Sequence, residues 1–336
     1  MAKETPKKRI SKKETSDAVM APVDNLRTHW LVGGALLIVF ALVVGFILSR
    51  SQADQVSTST DIVNTNPTVD SVFISNAQNG LADDYPVSIT PIAGATRTLH
   101  INGVVGDANG EADITSVNMA FYRSSATSTF NCTADNNDCY KVSSCTLTAN
   151  NAVSKKYDCL IDLQYYADAT DAGGQFPADN WVTYVKVVDA SAAVATNLAT
   201  TREVNTTLSL NIPGTINYGP LSLGATTTPA NNQEMTLTQK GNDVADVTVT
   251  GSDMTCSSIG VIPVGQQAWA LTDVSYTDPG STPLASSSAA DTNIGVNYQN
   301  DDATSSTKVL YWNLLVPATG VRGTCSGTTT ISVIAS

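Results

Sequence analysis

The chain has 336 residues, 42% of them hydrophobic and only 14% charged, with a formal net charge of −12. That hydrophobic content excludes a disordered chain, and the length makes two folded units the expectation. The acidity excludes a nucleic-acid binder, which needs Lys and Arg to neutralise phosphates.

The charge is unevenly placed. Residues 1–29 carry seven basic and four acidic side chains, whereas residues 51–336 carry ten basic and 26 acidic ones. Between them, Leu31 to Leu48 contains no charged or strongly polar residue, and thirteen of its eighteen positions are Leu, Ile, Val or Phe. With Trp30 and Ser49 the run reaches twenty residues, about 30 Å of helix, the thickness of a bilayer core. Trp30 sits where an interfacial aromatic belongs, and the basic flank precedes the helix. Residues 30–49 are therefore expected to span a membrane, with residues 1–29 as a cytoplasmic tail and the rest outside. A cleaved signal peptide is the competing reading, through Ser51-Gln52-Ala53. The length of the apolar run and of the segment before it favours an anchor.

Residues 50–69 are small and polar and read as a Ser/Thr-rich stalk, which as a flexible coil spans roughly 25 Å. Beyond it the pattern becomes that of strands and turns. Leu99 and Ile101 alternate within ATRTLHINGVV; Val117, Met119 and Phe121 within ITSVNMAFYR; Cys159, Ile161, Leu163 and Tyr165 within YDCLIDLQYY. NWVTYVKVVD carries apolar residues on both faces, as in a strand covered on both sides. A further strand near 200–212 hands over at Pro213-Gly214. The segments INYGPLSLG, EMTLTQK, DVADVTVTG, SIGVIPVG, KVLYWNLLVP and GTTTISVIA then read as strands separated by Gly, Asn, Asp and Pro. No apolar period of 3.6 persists after residue 50. The expected fold is all-β: two antiparallel β-sandwiches, residues 70–210 and 211–336.

Six cysteines fall after the apolar segment, four in the first expected unit and two in the second. Even counts fit disulfides in an oxidising compartment. Cys256–Cys325 is the one internal pair available to the second unit. Cys132, Cys139, Cys145 and Cys159 allow three pairings, of which the local Cys132–Cys139 and Cys145–Cys159 are favoured. Zinc ligation is disfavoured, because no Cys-x-x-Cys occurs and His100 is the one histidine beyond the apolar segment.

The run GDANGEADIT places Asp107, Asn109, Glu111 and Asp113 at alternating positions, as in the first half of a calcium loop. The helix–loop–helix calcium pattern then breaks: Ala112 stands where Gly is wanted and Asn118 where a bidentate Glu is wanted. A real site would need carboxylates from elsewhere, with Asp168 and Asp171 as candidates, and Asn109-Gly110 also makes a hairpin turn by itself. Structural Ca²⁺ is the one cofactor expected. No nucleophile elbow, zinc-protease motif or phosphate loop occurs. Trp181, Trp269 and Trp312 could stack on a sugar ring, though a sandwich usually buries such residues. Asn131 and Asn205 head Asn-x-Thr sequons, candidate glycosylation positions in a host that glycosylates.

Together GDANGEADI, the spaced cysteines, NWVTYVKVVD, INYGPLSLG, GNDVADVTVTGSDM, YWNLLVPATG and GTCSGTTTISV resemble the immunoglobulin-like surface domains of N-terminally anchored prokaryotic envelope proteins. The resemblance covers residues 70–336 and implies sandwich folds, an envelope location and no catalytic residues. Without a C-terminal sorting signal, the N-terminal helix is expected to be the sole anchor. The expected partners are the bilayer, through residues 30–49, and other envelope or cell-surface proteins or glycans. A non-enzymatic structural or adhesive role is expected first, then capture of a glycan or peptide, and last a hydrolase.

Overall fold

The computed structural model describes residues 41, 56–78, 80–126, 129–302 and 305–336. Residues 63–336 form one compact unit, distinct from residues 1–62. No helix among the described residues is long and apolar enough to cross a membrane. The expected span at 30–49 lies outside them, Ala41 apart, as do the cytoplasmic tail and the first part of the stalk. From residue 56 onward the described chain is all-β, with three single-turn 3-10 helices.

The first half contributes ten strands. They are β1 (Thr68–Val69), β2 (Phe73–Ser75), β3 (Ser88–Ile89), β4 (Arg97–Gly106), β5 (Ile114–Arg123), β6 (Cys139–Val142), β7 (Thr146–Asn151), β8 (Ser154–Leu163), β9 (Trp181–Asp189) and β10 (Val194–Val204). One sheet runs β1-β4-β8-β7, with β2 also on β4; the other runs β3-β10-β9-β5-β6. All pairings are antiparallel except β3 with β10. Leu99 and Ile101 from one sheet and Val117, Met119 and Phe121 from the other are fully buried in one shared core.

Strand β9 explains its own composition. Its inward positions Trp181, Thr183, Val185, Val187 and Asp189 are buried, and the residues between them are half-buried. Trp181 fills the centre against Phe121, with ring centroids 4.9 Å apart, and Tyr140, at 5.8 Å. On the outer face, Val182 and Tyr184 lie against a second apolar cluster of Ala120, Tyr122, Cys132, Cys139 and Phe130. The loop closed by Cys132–Cys139 thus caps the outside of β5 and β9. This is why apolar residues occupy both faces of that strand.

The second half contributes β11 (Leu210–Asn211), β12 (Gln233–Gln239), β13 (Ala245–Gly251), β14 (Met254–Cys256), β15 (Val261–Ile262), β16 (Gln267–Ala270), β17 (Thr282–Pro283), β18 (Ala290–Asp291), β19 (Thr307–Leu314), β20 (Cys325–Ser326) and β21 (Thr329–Ala335). They form sheets in the orders β11-β12-β19-β16-β17, β18-β13-β21 and β15-β14-β20. Met235, Leu237, Val247, Val249, Leu310 and Trp312 build the core between the first two. Because β11 pairs with β12, the chain passes to this second core between Val204 and Leu210, ahead of Pro213-Gly214.

One expected strand is absent. INYGPLSLG, residues 216–224, is loop, with Gly219 at φ 68 before Pro220. A left-handed glycine followed by a residue without an N–H donor cannot continue a ladder. Its Ile216 and Tyr218 still lie on the core.

All six cysteines are joined, as Cys132–Cys139, Cys145–Cys159 and Cys256–Cys325, the local pairs and the one internal pair of the second half. Cys145 lies where the chain crosses from β6 to β7, and its N–H donates to Val117 O of the opposite sheet (2.8 Å). Its bond to Cys159 on β8 therefore fastens the two sheets to each other.

A polar joint connects the two cores. The Asn242 amide, fully buried, donates to Ala167 O (2.9 Å) and Asn205 O (3.1 Å) and accepts from Thr207 N (2.7 Å). Tyr165 donates to Gln299, Tyr166 to Asp302 and Gln175 to Asp243. Gly241 sits so close that a Cβ there would lie 1.9 Å from Thr207 O.

Candidate metal centre

The loop 107–113 leaves β4 in one sheet and enters β5 in the other, so Asn109-Gly110 is no hairpin turn: β4 pairs with β8, and β5 with β9. Asp107 begins the loop as an Asx turn, its Oδ1 accepting from Asn109 N (2.8 Å). Gly110 takes φ 127, which only glycine adopts without strain, and admits the 3-10 turn Glu111–Asp113. Asp113 O then accepts from Ala190 N (2.8 Å), which ties this turn to the end of β9.

That tie brings a third carboxylate into place. Asp189 closes β9 on its buried face, Oδ1 accepting from Ala193 N (2.7 Å) and Oδ2 from Asn64 Nδ2 (2.8 Å). One carboxylate oxygen from each of Asp107, Asp113 and Asp189 lies within 4.8 Å of the other two. Asp107 is 3% and Asp189 2% exposed. Asp107 Oδ2 is buried and has no hydrogen-bond partner among the described residues. Nor does any Lys, Arg or His nitrogen there come within 4.0 Å of the three carboxylates. When all three are ionised, each pair at this spacing or closer repels by roughly 3 kcal/mol or more at an effective dielectric of about 20. No protein-family model matches the chain, and no curated protein is significantly similar to it in sequence.

The expected ligand set changes accordingly. Asp107 and Asp113 meet, but Asn109 and Glu111 turn elsewhere. Asn109 Oδ1 accepts from Thr65 N (2.7 Å), and Glu111 Oε2 lies 3.7 Å from Lys155 Nζ. Asn109 lies in the Asx turn opened by Asp107, and Glu111 and Asp113 lie in the 3-10 turn, where residues two apart point roughly a third of a turn away from each other, so strand-like alternation does not hold.

Asp168 and Asp171, the candidates for outside carboxylates, serve other partners. Asp168 accepts from Arg123 Nε (2.7 Å) and from the Asn137 amide. Arg123 also pairs with Asp179 (2.5 Å), and its guanidinium lies 3.8 Å from the Phe176 ring centroid. Burial pushes the Asp168 carboxyl up to about 6 against the pull of Arg123. Asp171 Oδ1 accepts from Thr206 N (2.9 Å) and Oγ1 (2.6 Å). Asp189 was legible as the last inward position of an alternating strand, a carboxylate where an apolar residue would serve the core.

The remaining candidates are quickly placed. Trp181 and Trp312 are fully buried and Trp269 is 7% exposed, so none offers a face to a sugar. His100 Nδ1 lies 3.0 Å from Asp158. Asn131 is exposed, as a glycan acceptor must be. Asn205 is half-buried at the joint; its Nδ2 donates to Thr90 Oγ1 (2.8 Å) and its O accepts from Asn242.

Proposed function

We propose that the chain is a membrane-anchored protein of the cell envelope with a structural or adhesive, non-enzymatic role. In this reading an apolar helix at 30–49 holds two consecutive immunoglobulin-like sandwiches, residues 70–210 and 211–336, on the outer side. The observation that carries it is that all six cysteines are disulfide-bonded, four in the first half and two in the second. Such closure belongs to an oxidising compartment. The buried polar joint around Asn242 supports a structural role, because it holds two cores as one unit. Capture of a glycan has less support, since the tryptophans that would stack on it are interior.

An antibody raised against residues 70–336 tests this on cells of the native host. Labelling of intact cells and crosslinking of the protein to envelope neighbours are expected. Labelling only after permeabilisation, or free thiols on the protein as isolated, would overturn the reading.

A further inference from the structure

We infer that Asp107, Asp113 and Asp189 bind one divalent cation of the calcium class, and that this cation fastens the incoming segment at Asn64 and Thr65 to the first pair of sheets. The inference does not depend on the envelope role. It begins with an unusual polar atom: Asp107 Oδ2 is buried, carries half of a carboxylate charge, and receives no hydrogen bond. Its sister oxygen accepts from Asn109 N, so the loop holds the group in place, and one of its two oxygens lies within 4.8 Å of an oxygen of Asp113 and of Asp189. Buried charges of one sign demand a counter-charge, and the described side chains supply none within 4.0 Å.

The chemistry selects the ion. All three donors are hard carboxylate oxygens, without the nitrogen or sulfur that zinc favours. One oxygen from each lies within 4.8 Å of the other two, so a single cation at the roughly 2.3–2.6 Å bond length of Ca²⁺ can be reached by all three. Mg²⁺ dehydrates reluctantly and is usually held through one or two carboxylates with several waters kept, which a buried set of three carboxylates does not suit. Main-chain carbonyls and water are the usual remaining ligands.

The site also holds the incoming chain. Asn64 Nδ2 donates to Asp189, and Thr65 N donates to Asn109 within the same loop. A cation that fixes Asp189 and the loop 107–113 therefore fixes the acceptors for both, and joins β4, β9 and the segment before β1 at one end of the fold.

The test uses the full-length chain in detergent, stripped with EDTA and dialysed against radioactive CaCl₂ in about 0.15 M NaCl, which screens diffuse binding to the acidic surface. One equivalent is expected to bind with a dissociation constant on the order of 0.1–1 mM, the range of extracellular modules. Asp113→Asn is the variant least able to disturb folding, because Asp113 is half-buried and its carboxylate accepts no hydrogen bond among the described residues. It should weaken binding roughly ten-fold, as should Asp189→Asn, while the exposed Glu234→Gln leaves it unchanged. Hydrogen exchange of the Thr65 and Ala193 amides should slow by roughly ten-fold with CaCl₂ in the wild type alone. Absence of saturable binding up to about 10 mM, equal binding by Asp113→Asn, or MgCl₂ binding as tightly as CaCl₂ would each overturn the site. Binding without any change at Thr65 and Ala193 would overturn the fastening.

Discussion

Removing the disulfide between Cys256 and Cys325 is expected to be the most costly disulfide deletion in the molecule. The bond closes a sequence separation of 69, against 14 for Cys145–Cys159 and 7 for Cys132–Cys139. On the chain-entropy relation these loops correspond to about 4.4, 3.0 and 2.5 kcal/mol at 25 °C. The backbone pairing it reinforces is short: β14 meets β20 at Thr255↔Ser326 and Cys256↔Cys325, followed by Ser257 N to Thr324 O and the Ile259↔Arg322 bridge. Without the cross-link, the small sheet β15-β14-β20 should open, exposing Ile262, Leu314 and Val316, which pack around Cys256. The assay is guanidinium unfolding of Cys256→Ala/Cys325→Ala in a Trp30→Phe/Trp181→Phe background. Fluorescence there follows Trp269 and Trp312 of the second core. With a slope of about 4 kcal/mol per molar, the midpoint should fall by roughly 1 M. A fall smaller than that caused by deleting Cys132–Cys139, read through Trp181 in a Trp30→Phe/Trp269→Phe/Trp312→Phe background, would refute the reasoning from loop closure.

The remaining expectations concern the first core and the joint. Trp181→Ala should cost about 3–5 kcal/mol in urea unfolding, since it empties a fully buried site beside Phe121 and removes the indole bond to Asp168 O. Gly241→Ala should cost about 2–3 kcal/mol through the clash with Thr207 O. Gly265→Ala, with open space around it, should stay within about 0.5 kcal/mol in the same urea unfolding. Asp168 has a pKa of about 6 in the fold, above its ordinary 3.8, so the folded state holds this proton more tightly than the unfolded chain. Its contribution to stability is greatest below pH 3.8 and falls as pH rises through 6, by about 3 kcal/mol in all. Melting temperatures across that range should show a decline that Asp168→Asn abolishes; parallel profiles would count against it.

Much of the strand pattern was visible beforehand, because alternation is a local property of a pleated strand with one buried face. ITSVNMAFYR, NWVTYVKVVD and EMTLTQK coincide with β5, β9 and β12. Short strands were not visible. QAWA of β16 is buried at all four positions, and two-residue strands such as β14's partner β20 carry no period at all. The apolar residues on both faces of NWVTYVKVVD indicate a strand covered on both sides, but the outer cover is a disulfide-closed loop, which periodicity cannot name.

The amino-acid sequence by itself determined the all-β class, through alternation and the scarcity of helical periods, and marked the cysteines as disulfide partners through their even counts. It also singled out the acidic loop, but with Asp107, Asn109, Glu111 and Asp113 alike. Only the tertiary structure decided which carboxylates meet. Asp189 reaches Asp107 and Asp113 because β5 and β9 are paired with Ile114 opposite Asp189, so the loop before one strand lies against the end of the other. Strand partnership joins residues far apart in the chain, and no local pattern encodes it.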